Sequence, residues 1–226
     1  MKLVLYSGGH AAQNRSLDEE LLRLTGKRPD RVRMTFVPAS SDRIRQQFAD
    51  FFGDFKRFGV KSTRCLPVDL PIARSDLEKA LHSDVIYLGG GNTYGFLKNL
   101  RERGLISKLR KFVKEGGVLG GLSAGAILMT PNIHMAAIPR RTADCNEVKL
   151  RDLKALALVK FEFHPHYCKR RWENKELGDY AKKLSHPIYA CPDGSGIVIE
   201  SARTSFIGQA YAFIGSKRFA EIDEVQ

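Results

Sequence analysis

Residues 116–129 read GGVLGGLSAGAILM. The run VLGGL, 118–122, is short, apolar and bounded by glycine, as a buried strand is, and SAGAILM then opens a helical pattern. Within it, GLSAG at 121–125 fits G-x-S-x-G. That pattern places a serine on a sharp strand-to-helix turn. The nucleophile there is held in a strained backbone conformation, and its small neighbours relieve the crowding. The first N–H groups of the helix lie beside it, where an oxyanion can be held. The glycines add little packing; they let Ser123 be presented.

The same alternation extends outward in both directions. KLVLY (2–6), VRMTFVPAS (32–40), KSTRCLPV (61–68) and VIYLGGG (85–91) read as strands. Between them lie SLDEELLRLTG, with Ser16 and Glu19 as a capping box, and a segment with Ile44, Phe48, Phe51, Phe52 and Phe55 at helical spacing. SDLEKALHS carries a second such box, Ser75 and Glu78, and two helices follow at NTYGFLKNLRERG and LISKLRKFVKEGG. Strands alternating with helices imply right-handed crossovers and a parallel sheet covered on both faces. From about residue 161 the pattern changes to short strands and tight turns, which predicts an antiparallel edge on that sheet. No repeat or linker divides the chain, so one α/β domain over 1–226 is expected.

Ligands of such sheets sit at the carboxyl ends of the strands. Two glycine-rich exits stand there, LGGGN and GGLSAG. The first matches neither dinucleotide nor P-loop patterns. Its free N–H groups suit the second half of an oxyanion hole. A serine also needs a base, and FEFHPHY places His164 and His166 after an apolar strand. No third ligand at matching spacing accompanies them, so neither metal nor other cofactor is expected.

The net charge is +12. The basic residues are dispersed, each run shares its length with acids or a helical face, and no nucleic-acid motif supports such a partner. No apolar stretch approaches membrane-span length. The opening MKLVLYSGGH is too short in its apolar part for a signal peptide. Cys65, Cys145, Cys168 and Cys191 form no CxxC pair, and reduced thiols in the cytoplasm are the expectation.

Three pieces together, YLGGGNTYGFLKNLRERGL, GGLSAGAILMTPNI and FEFHPHY, resemble the peptidase E family of serine peptidases, which includes aspartyl dipeptidases and, more distantly, cyanophycinases. The resemblance runs from about residue 85 to 167 and continues more weakly through YACPDGSGIVIE and FIGQAYAF. It implies a flavodoxin-like three-layer α/β sandwich similar to class I glutamine amidotransferases. It also implies acyl transfer on a short peptide, with Ser123 as nucleophile, His166 as base, and Gly91 and the Ala124 N–H as oxyanion hole. In the aspartyl dipeptidase an aspartate follows the serine segment closely; TPNIHMAAIPRR has no acid. The family usually takes its acid from between serine and histidine, which makes Glu147 the expected triad member, with Asp144 second and Glu162 third. Arg170 or Arg171 would serve a substrate carboxylate, giving a preference for acidic or small polar N-terminal residues. Two alternatives stay open here: a catalytically silent relative that binds a peptide or metabolite, and a cyanophycinase-like amide hydrolase.

Overall fold

The computed structural model describes residues 1–215 and 217–219. Five parallel strands form its centre: β1 (Lys2–Tyr6), β2 (Arg33–Val37), β3 (Ser62–Cys65), β4 (Val85–Leu88) and β5 (Val118–Leu122). Two antiparallel strands, β8 (Gly196–Glu200) and β9 (Arg203–Ile207), extend the sheet beyond β1, giving the order β3-β2-β4-β5-β1-β8-β9.

Alternate residues of β1, β4 and β5 enter different cores, as a pleat covered on both faces requires. Leu3, Leu5, Ile86 and Leu88 pack with Phe96, Leu97 and Leu100 of α4 (Thr93–Glu102) and with Leu109 and Phe112 of α5 (Leu105–Lys114). Val4, Tyr6, Val85 and Tyr87 pack on the other face with Leu17 and Leu21 of α1 (Arg15–Arg23) and with Phe51 and Phe55 of α2 (Ile44–Lys56). The expected phenylalanine stripe is therefore core, with Phe51 and Phe55 its buried members.

Neither expected capping box forms. The cap of α1 is Asn14, and that of α3 (Arg74–Leu81) is Ala73, so Ser16 and Ser75 lie inside the helices. The glutamates that would have closed the boxes turn instead to arginines one turn back, Arg15–Glu19 at 3.0 Å and Arg74–Glu78 at 2.8 Å.

The carboxyl-terminal third also departs from the single edge expected. Besides β8 and β9 it builds a second sheet of β6 (Glu162–His164), β7 (Ile188–Ala190), β10 (Tyr211–Ile214) and β11 (Lys217–Phe219), in the order β11-β10-β7-β6. β6 and β7 are parallel, with Glu162 opposite Ile188 and His164 opposite Ala190. Their carboxyl ends therefore emerge side by side. The helix after β5, α6 (Ala124–Ile127), is short, and α7 (Arg171–Ala181) joins β6 to β7. Among the described residues no helix is long and apolar enough to cross a membrane.

Candidate active site

Ser123 stands between β5 and α6 with φ 52° and ψ −107°. Such a backbone costs an L-residue about 1–3 kcal/mol and persists only where its surroundings hold it. Here its N–H donates to the Tyr6 carbonyl at 3.0 Å, and its own carbonyl accepts from Ala126 and Ile127, each at 3.0 Å. The two flanking glycines are needed for close approach. A Cβ on Gly121 would strike the backbone of Gly125, and one on Gly125 would strike the backbone of Leu88.

His166 meets this serine from the second sheet. Its Nε2 lies 2.8 Å from Ser123 Oγ, and its Nδ1 lies 2.7 Å from Asp193 Oδ1. With a carboxylate on Nδ1, the ring carries its proton there and leaves Nε2 to accept from the serine hydroxyl. Both His166 and Asp193 side chains are about half exposed, so a substrate reaches them directly from solvent.

Three strand exits are tied together to hold this line. The Ser7 hydroxyl, fully buried after β1, accepts from the His166 N–H at 2.7 Å and donates to the Cys191 carbonyl at 2.6 Å. The Tyr167 N–H donates to the same carbonyl at 3.0 Å, and Gly194 donates to the Gly8 carbonyl at 3.0 Å. Gly8 forms the floor: a Cβ there would overlap both the His166 ring and the Asp193 carboxylate.

Ser123 and His166 are thus brought together, whereas the acid differs from expectation. Glu147 lies exposed in the loop before β6, and the carboxylate hydrogen-bonded to His166 is Asp193. Asp144 accepts from the Thr93 N–H at 2.7 Å. Glu162 is buried at the start of β6, where it accepts from Asn132 at 2.8 Å and burial pushes its carboxyl up. His164 turns its buried ring to Glu173 at 3.1 Å; burial pulls its pKa down although Glu173 pulls the other way. The Asp193 signal in the sequence is CPDG directly after a strand, a turn at a strand exit.

Gly91 has φ 140°, open in practice to glycine alone, and it packs against Ala39. Gly90 lies against the Leu122 carbonyl and the Ser123 side chain. Ala124 begins α6, so its N–H has no partner within that helix. Arg170 and Arg171 are both exposed, and the Arg170 guanidinium lies over the Trp172 ring at 5.8 Å. Neither lines the cavity beside the serine. That cavity, of about 100 Å³, is walled by Thr93, Ser123, Thr142, Asp144, His166 and Glu173, among others.

A serine on a strand-to-helix turn of a mainly parallel sheet, with histidine and carboxylate in line above it, is the arrangement of an α/β serine hydrolase. Residues 3–207 match the sequence model of Peptidase family S51, and the chain belongs to that family: it is a serine-type peptidase. It is 28% identical over 224 residues to Peptidase E of Streptomyces coelicolor, covering 92% of this chain and 85% of that one. With Peptidase E of Escherichia coli it shares 26% identity over 228 residues, 95% of this chain and 93% of the other. The fold is similar to that of a peptidase from an acI-B1 Actinobacterium, with TM-score 0.73 and 17% identity across 100% of this chain and 96% of the other.

Proposed function

We propose that this peptidase hydrolyses short peptides with a free amino terminus, dipeptides among them, through an acyl-enzyme on Ser123. The observation that carries the reading is the unbroken hydrogen-bonded line from Ser123 through His166 to Asp193. His166 Nε2 takes the hydroxyl proton as Ser123 attacks the scissile carbonyl, and the same nitrogen returns it to the leaving amine. Asp193 holds the ring and offsets its positive charge. The N–H groups of Gly91 and Ala124 receive the oxyanion, and water then attacks the ester with His166 again as base.

The cavity beside Ser123 supports the restriction to short, unblocked substrates. Its volume of about 100 Å³ suits a small group rather than a length of chain. Asp144 in its wall offers a carboxylate to an α-ammonium group, and among the described residues no lysine or arginine lines it. This favours a cation there over the acidic group that Arg170 or Arg171 was expected to bind. Four unpaired cysteines fit a reducing compartment, and we place the enzyme in the cytoplasm.

The test is a panel of dipeptides, their N-acetyl forms and ten-residue peptides. We expect kcat/KM to fall at least about 100-fold on acetylation, since the half-buried Asp144 carboxylate then loses its ammonium partner. Asp144→Asn should narrow that gap to about tenfold. Equal cleavage of free and acetylated peptides would overturn the reading.

A further inference from the structure

A second and larger cavity, of about 670 Å³, opens at the same strand exits on the other face of the sheet. Gly90 and Leu122 form the wall it shares with the serine turn, and Gly9 continues that wall from the floor beneath His166. Its lining departs from the rest of the molecule. Lysine and arginine make up 37 of 226 residues, about one in six, and the protein carries a net charge of +12. Among the described residues no lysine or arginine lines this cavity; Asp18, Asp50 and Asp54 do.

Four aromatic rings also line it, those of Phe36, Phe51, Phe55 and Tyr87. Phe36 and Phe51 stack at 4.9 Å, and Phe51 meets Tyr87 at 5.3 Å. Arg57 lies behind Asp18 at 2.9 Å, one guanidinium against three carboxylates. Burial pushes the Asp18 carboxyl up to about 7 although Arg57 pulls it down. The cavity also contains an acceptor that has no donor among the described residues. Asn14 is 8% exposed, and its side-chain carbonyl oxygen is buried with no hydrogen-bond partner among them.

Carboxylates, an unfilled acceptor and aromatic faces share one complement, an organic cation on a flexible apolar stem. We infer that this cavity is a subsite for a basic side chain, of lysine or arginine type, on the peptide whose amide lies at Ser123. The methylenes pack on Phe51 and Tyr87. The cation donates to Asn14 and to the carboxylates of α2, where Asp50 and Asp54 stand one helical turn apart. The inference rests on the proposed role of Ser123 only in setting which molecule brings the cation.

Calorimetry with L-lysinamide and L-norleucinamide on the full-length Ser123→Ala protein tests it, because the two probes differ only in the ε-ammonium group. We expect lysinamide to bind about tenfold tighter, with the difference shrinking as salt rises. Asp50→Asn and Asp54→Asn, at exposed and half-buried positions of α2, should each reduce the preference to threefold or less and leave norleucinamide unchanged. Equal binding of the two probes, no binding of either, or a lysine preference that survives both substitutions would overturn the inference. Binding does not require turnover, so these outcomes are read independently of whether Ser123 is the nucleophile.

Discussion

Asp193→Asn is expected to lower kcat on the order of 10³-fold with KM changed less than about threefold. An amide in that place keeps the shape but can present its N–H to the ring, which favours the tautomer with the proton on Nε2. Ser123 then faces a donor instead of an acceptor. The 2.7 Å contact between Asp193 and His166 Nδ1 is half exposed, so its loss should leave the thermal midpoint nearly unchanged. Asp193→Glu should recover part of kcat, because a carboxylate is restored at slightly altered reach. Glu147→Gln serves as the comparison and is expected to behave as wild type. An Asp193→Asn enzyme with full kcat would remove Asp193 from the mechanism.

Gly8→Ala should cost at least about 100-fold in kcat, the scale set by displacing reacting groups by about an ångström. The new methyl would occupy space held by both the imidazole and the carboxylate, so the two must move together away from Ser123. The energetic cost of the overlap is about 1–3 kcal/mol, and much of it is relieved because both displaced side chains face solvent. Activity should thus fall far more than stability, and the check is kcat beside a urea midpoint. Wild-type kcat in Gly8→Ala would show that His166 and Asp193 do not rest on this floor during turnover.

The central sheet was legible because β1, β4 and β5 are apolar runs that lead into glycine, and because the helices between its strands repeat at helical spacing. Ser123 was legible for the same local reason: Gly121 and Gly125 have steric duties that few other residues could perform. His166 came from its place after an apolar strand together with the resemblance. The second sheet was harder to read. β6 and β7 have three residues each, too few for a period to declare itself, and they pair across α7. That pairing also explains why Asp193 went unread. The family resemblance points to an acid between serine and histidine in chain order. The parallel register of His164 with Ala190 instead carries the turn after β7 to the turn after β6, and residues 27 apart in sequence meet. The capping boxes failed for a different reason: both helices start one residue before the serine, at Arg15 and Arg74, so neither Ser16 nor Ser75 stands at the cap.

The most direct test of the central claim is the site of covalent capture. Treatment of the folded enzyme with a fluorophosphonate, followed by intact-mass measurement and peptide mapping, should give a single adduct on Ser123. That adduct should be absent in Ser123→Ala and form much more slowly in His166→Ala. An unmodified wild-type protein, or an equal adduct on Ser123→Ala, would contradict the account.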